Sequence, residues 1–286
     1  MDTNELIKKV RKIEIATKTL SRDLFAGSYH TNFKGRGMAF SEVREYQIGD
    51  EVRTIDWNVS ARYRDTYVKV FEEEREISVM LVADISGSGD FASSGLSKKE
   101  IITYIAAIIA FSASQNQDKT GLLLFSDRVE ELLLPKKGKS QILRIIRELV
   151  EHTPKSKGTD LAQALVGILS MLKKRSIVFV LSDFMTGNFE RELEICARKH
   201  ETIAVRVHDP AEDTLPDLGL INYIDAETGK LKVLNTTRKA RAEFARRRAE
   251  RAEYLEKFFM KNKIGYIDIA TTEDYVKSLV KYFRQS

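Results

Sequence analysis

From Ile77 onward, short apolar runs rich in β-branched residues alternate with longer stretches whose apolar positions recur every three or four residues. The runs Ser78–Ala83, Gly121–Phe125, Ile177–Leu181, Thr202–Val207 and Tyr266–Ile269 read as buried strands, with a short further strand at Val129–Leu134. Between them the spacing predicts helices at Lys98–Ser114, about Ser140–Glu151, Leu161–Lys174, Phe189–Lys199 and Glu273–Phe283. Continuous apolar strands alternating with helices predict an α/β fold: a three-layer, doubly wound, mainly parallel sheet covered on both faces. Two elements interrupt this order at about 219–263. Leu220–Ile224 and Leu231–Leu234 flank Thr228-Gly229-Lys230 as a hairpin, and a long charged helix follows at roughly Thr237–Lys263.

Before Ile77 the pattern differs. Leu6, Val10, Ile13, Leu20 and Leu24 predict an amphipathic helix over Thr3–Leu24. A glycine-marked stretch follows, then a segment of mixed charge and aromatics in which Thr66–Phe71 alternates like a strand. The expected division is therefore an N-terminal helix and charged segment over 1–76, packed on a main domain over 77–286.

The chemistry concentrates where the first strand of the main domain ends. Asp84-Ile85-Ser86-Gly87-Ser88 places one carboxylate and two hydroxyls on a tight loop, as a hard divalent cation such as Mg²⁺ requires. Ligands of open parallel sheets bind beyond the carboxyl ends of the strands, and Asp183 follows the strand Ile177–Leu181 at that same edge. Thr159, just before the helix from Leu161, lies on a connection there too. Each of these residues is also a good helix cap. Ser97-Lys98-Lys99-Glu100 forms a capping box of its own, which frees Ser86 and Ser88; Asn188 is available to cap the next helix, which frees Asp183. Thr159 and Asp160 remain alternative caps.

Asp84, Ser86, Ser88, Thr159 and Asp183 occur in the order of the metal-ion-dependent adhesion site, and the chain from about Ile77 to Phe283 resembles the von Willebrand factor A fold that carries it. The resemblance implies direct metal ligation by Ser86 and Ser88, a direct or water-mediated contact from Thr159, and action of Asp84 and Asp183 through water. It also implies a coordination position open to a carboxylate from another protein. The cofactor would be Mg²⁺, with Mn²⁺ or Ca²⁺ as substitutes, and the site need not be filled at rest.

Residues 42–64 pair arginines with carboxylates around the only tryptophan. They resemble the signature Arg-x-Tyr-x-x-Gly-Asp-x-x-Arg-x-Ile-Asp-Trp-x-x-Ser/Thr-Ala-Arg of the bacterial domain-of-unknown-function 58 family, matched at Arg44, Tyr46, Gly49, Asp50, Arg53, Ile55, Asp56, Trp57, Ala61 and Arg62. Arg44, Asp50, Arg53, Asp56, Trp57 and Arg62 form either an internal ion-pair network or a pocket for an anionic partner. The family resemblance implies a partner as well: a MoxR-type AAA+ ATPase, or a client presenting Asp or Glu, in chaperone-like maturation of proteins. Longer members often carry membrane helices ahead of this region, and a soluble form is expected here.

Composition excludes several alternatives. Over 286 residues, 43% hydrophobic and 31% charged content is that of a globular protein. No apolar run reaches the ~20 residues of a membrane span. Without a secretion signal, and with one cysteine (Cys196) and four histidines lacking zinc spacing, a cytoplasmic protein is expected. A net charge of +5 does not point to nucleic acid; the basic helix over 238–251, interleaved with glutamates, would be the only route to it. No phosphate loop or nucleophile elbow is present, so a non-enzymatic interaction protein is expected, with a metal-dependent hydrolase on the same five residues as the rival.

Overall fold

The computed structural model describes residues 38–63, 65–73, 77–93, 95–224 and 230–285. The helix expected at Thr3–Leu24 lies outside them. The described chain divides into two compact units, 38–73 and 77–285.

The smaller unit is built on an antiparallel pair, β1 (Met38–Glu45) and β2 (Tyr67–Glu73), with a bulge between Phe40 and Glu42. A 3₁₀ turn over Val52–Thr54 and helix α1 (Trp57–Tyr63) connect them. β1 was hidden in the sequence because Glu42, Arg44 and Glu45 surround Val43, so no apolar alternation marks it.

The larger unit is a six-stranded sheet: β3 (Ser78–Asp84), β4 (Lys119–Phe125), β5 (Val129–Lys136), β6 (Ile177–Ser182), β7 (Glu201–His208) and a last strand, Gly265–Ala270. Between β7 and that strand, β8 (Leu220–Ile224) and β9 (Leu231–Asn235) form the expected hairpin, so the last strand is β10. Across the sheet the order is β10-β7-β6-β3-β4-β5, parallel throughout except for β5, which returns antiparallel beside β4. This is the mainly parallel α/β sheet that the periodicity predicts.

Helices α2 (Lys98–Gln115), α3 (Lys139–Glu151), α4 (Leu161–Met171), α5 (Glu190–Lys199), α6 (Arg238–Lys261) and α7 (Tyr275–Gln285) cover the sheet. Met80, Val82, Leu123, Phe125, Val178 and Val180 point into a core closed by Leu161 and Leu165 of α4, Leu193 and Cys196 of α5, and Leu255 and Phe259 of α6. The alternate strand residues face the other way, where Phe179 meets Phe283 of α7 with ring centres 6.4 Å apart. Two-sided burial leaves Val79–Ala83 and Ile177–Leu181 essentially without solvent contact, each large side chain worth about 1.5–3 kcal/mol. Gly121 of β4 admits no side chain: a Cβ there would lie 2.7 Å from Met80 Sδ and 2.8 Å from the Leu133 carbonyl oxygen.

Strand order reverses direction at β3. From it the chain crosses to β4 on one side, while β6 and β7 build out on the other. The carboxyl ends of β3 and β6 therefore border the crevice where such sheets bind ligands.

Candidate metal centre

Asp84 is the last residue of β3, and the chain turns at once into a 3₁₀ turn over Gly87–Asp90. The turn is tied down from both ends. The Ser86 amide donates to Asp84 Oδ1 at 2.9 Å, and the Gly87 amide donates to the Lys157 carbonyl at 2.9 Å. Ser86 Oγ and Ser88 Oγ come within 3.2 Å of each other, so both hydroxyls converge on one point. Asp84 Oδ2 accepts from the Ser182 hydroxyl at 2.7 Å, which joins the ends of β3 and β6.

Asp183 follows directly. Its Oδ1 accepts the Met185 amide at 3.0 Å, closing a tight turn in which the next residue, Phe184, is left-handed with φ 54°. Its Oδ2 accepts from Lys98 Nζ at 2.9 Å. The loop bearing Thr159 lies against both others: Lys157 bonds the Ser86 turn, and the Thr186 hydroxyl donates to the Thr159 carbonyl at 3.0 Å. Three loops carrying all five residues are thus stitched into one cluster.

The capping arguments divide. Ser97 and Glu100 form the expected capping box on α2. Asp160, not Thr159, is the N-cap of α4, accepting the Gln163 amide at 3.0 Å. The expectation for Asn188 is overturned. Helix α5 starts from Phe189 without a side-chain cap, and Asn188 occupies a left-handed turn with φ 59° instead, a conformation asparagine tolerates. Asp183 is nevertheless not drawn into capping α5, because the turn to Met185 engages it first.

The electrostatics depend on a residue that sequence reasoning passed over. Lys98 is only 2% exposed, yet its ammonium is doubly paired: Nζ lies 2.9 Å from Asp183 and 2.9 Å from both carboxylate oxygens of Glu212, in the 3₁₀ turn after β7. Burial pulls its ammonium down, and the two carboxylates more than reverse this, leaving it raised. Burial pushes Asp183 up, but Lys98, together with the Met185 amide and the Ser88 hydroxyl, outweighs it and the carboxyl stays below its ordinary range. Among the described residues no cation pairs with Asp84; burial, then the Asp183 charge, pushes it up to about 6. Asp209 anchors the Glu212 turn by accepting from the Ser93 amide and hydroxyl and the Ala211 amide. Although burial opposes them, these bonds bring it down to about 2.

A metal can be tested against this donor set on its chemistry alone. Two converging hydroxyls and two carboxylates, all hard oxygens at one crevice, suit Mg²⁺ and not a soft or imidazole-seeking metal. The residues fit. Each carboxylate oxygen already in a hydrogen bond keeps a second lone pair for a metal-bound water.

The other sequence candidates lie in the smaller unit. Arg44 holds Asp50 in a two-point pair at 2.8 and 2.7 Å, which lowers the Asp50 carboxyl; the Gln47 amide adds to this. Asp56 starts α1, accepting the Asn58 and Val59 amides, with Lys69 3.4 Å away. Trp57, Arg53 and Arg62 are exposed. The family signature is therefore partly an internal network and partly a solvent-facing surface. On α6, Arg246 and Arg247 pair with Glu243 and Glu250, while Arg248 donates to the Glu212 carbonyl and Arg251 to the carbonyls of Phe184 and Thr186. Cys196 is buried in the core, which pushes its thiol up. Among the described residues no helix is long and apolar enough to cross a membrane.

Comparison with known proteins gives the family. The model of the family described as "Protein of unknown function DUF58" matches residues 42–254, about three quarters of the chain, and the chain belongs to that family. Uncharacterized protein Mb1516 of Mycobacterium bovis and uncharacterized protein Rv1480 of Mycobacterium tuberculosis are each 27% identical over 285 residues, covering 99% of this chain and 90% of theirs. Among solved structures, the conserved hypothetical protein BatB from Bacteroides thetaiotaomicron aligns with a TM-score of 0.49 at 16% identity, over 73% of this chain and 100% of its own. The SpRpn10 VWA domain aligns at 0.41 and 11% identity, over 74% and 95%.

Proposed function

We propose that this member of the DUF58 family is a protein-interaction module. Its centre at Asp84, Ser86, Ser88, Thr159 and Asp183 would take up Mg²⁺ and receive a carboxylate from a partner. The observation that carries this reading is the convergence of Ser86 Oγ and Ser88 Oγ, 3.2 Å apart, at the end of β3, with a carboxylate on either side from β3 and β6. When bound, Mg²⁺ supplies a positive centre that prefers six oxygen ligands. The chain's own residues do the rest. Ser86 and Ser88 offer their hydroxyls, Asp84 and Asp183 balance charge, and the Ser182 hydroxyl and Met185 amide hold those carboxylates in place. Two carboxylates and three neutral oxygens leave a dication short of a full shell, and a Glu or Asp side chain completes it.

The partner we favour is a MoxR-type AAA+ ATPase, or a client that such an ATPase remodels, in which case the chain acts as a non-enzymatic adaptor. The exposed Trp57, Arg53 and Arg62 would give the smaller unit a contact surface of its own.

The test is a pull-down from bacterial lysate, with Mg²⁺ and then with EDTA. Capture that depends on Mg²⁺, disappears in Ser86→Ala and in Asp84→Ala, and leaves the circular dichroism spectrum unchanged supports the reading. Equal capture in EDTA overturns it. Mg²⁺-dependent turnover of phosphate esters or peptides by the clean protein would move the same five residues to the hydrolase reading.

A further inference from the structure

We infer that Lys98 is a resident cation that limits how tightly the centre holds a divalent ion, and that Glu212 is the carboxylate that moderates it. The inference rests on the metal reading above and concerns the regulation of that same site.

Lys98 is poorly explained as a helix residue. It is the first residue of α2, where the helix dipole disfavours positive charge, and an ammonium, being a donor only, can accept none of the orphan amides there. Burying a lysine to this depth is unfavourable unless the charge is paired. Its partners are Asp183, which belongs to the centre, and Glu212, which does not. Lys98 therefore spends its charge on a proposed metal residue, and a second carboxylate is brought in from the β7 turn to share it. That turn is itself fixed, by Asp209 to Ser93 and by the Arg248 guanidinium to the Glu212 carbonyl.

The charges give opposite signs to the two residues. Asp84, Asp183 and Glu212 with Lys98 leave two negative charges to face the dication. Without the lysine's charge there are three, and without that of Glu212 there is one. In a buried crevice, where like charges repel strongly, the first change favours the cation and the second opposes it. A lysine serving only as a strut predicts something else: either substitution would loosen the same loop and weaken binding.

Calorimetric titration of Mg²⁺ into the full chain distinguishes these cases, using wild type, Lys98→Gln, Glu212→Gln and Ser86→Ala, each checked for fold by circular dichroism. Lys98→Gln should bind about tenfold more tightly or better, and Glu212→Gln about tenfold more weakly. Ser86→Ala should lose binding. Weaker or unchanged binding in Lys98→Gln overturns the inference. If that variant does not fold, the double variant Lys98→Gln/Glu212→Gln decides: it keeps the two negative charges of the wild type, so binding like that of wild type upholds the inference and weaker binding overturns it. Wild-type binding that Ser86→Ala removes, and that neither charge variant moves, leaves the metal reading standing and this inference alone overturned. Absence of heat in both wild type and Lys98→Gln overturns the two together.

Discussion

The Arg44–Asp50 pair and the Lys98–Asp183–Glu212 triad make the same kind of contact, with separations of 2.7 and 2.9 Å, in opposite surroundings. The Arg44 side chain is 40% exposed and that of Lys98 only 2%. Water and salt already solvate the first pair, so its removal costs little. In the second, Lys98 and Asp183 are withdrawn from water, and the Lys98 ammonium has only its two carboxylates to replace it. Distance alone does not rank them; the surrounding medium does.

The largest test of that contrast is Lys98→Met. Removing the cation from the buried Asp183 and the half-buried Glu212 should cost about 3–5 kcal/mol and lower the urea midpoint by about 1–2 M. A smaller, pH-dependent effect is expected from Asp209. Its folded carboxyl, near 2, lies below its unfolded value, so it contributes stability above about pH 4 that is lost as the pH falls toward 2. Asp84, raised to about 6, has the opposite sign: its contribution to stability diminishes as the pH rises from about 4 to 6. Urea midpoints in EDTA should therefore lose part of their acid limb in Asp209→Asn, and part of their decline between pH 4 and 6 in Asp84→Asn. Salt comes next. Raising NaCl to about 1 M, where the Debye length is about 3 Å, should leave the destabilisation by Lys98→Met nearly intact. Smallest of all, Arg44→Met should shift the urea midpoint by no more than its error; a shift comparable to that of Lys98→Met would abolish the distinction.

The sheet was legible in the sequence because two-sided burial writes itself as unbroken apolar runs: Ser78–Ala83 and Ile177–Leu181 were found to within a residue of their observed ends. The cluster of Asp84, Ser86, Ser88 and Asp183 was legible for a related reason, since strand ends fix where the following side chains emerge. Lys98 was not. It was read as filler within the Ser97–Glu100 capping box, although Lys98, Ile101, Ile102 and Ile105 share a helical stripe that is buried throughout. A lysine on the apolar face of a helix's first turn was the available signal. Glu212 had none, because its partner lies 114 residues away in the chain. Ser182 was passed over as part of a strand end, and Asn188 was misjudged because residues that cap helices are also those that tolerate left-handed turns.

Phe184 sets a limit on how this chain can diverge. It is fully buried, sits in a left-handed conformation beside Asp183, and packs edge-on against Phe259 of α6 with ring centres 5.2 Å apart. A glycine would ease the backbone but empty the core; an aliphatic β-branched residue would fill the core but resist the turn. The two aromatic positions, 75 residues apart in the chain, should therefore drift as a couple across the family's sequences, and more slowly than the surface arginines of α6.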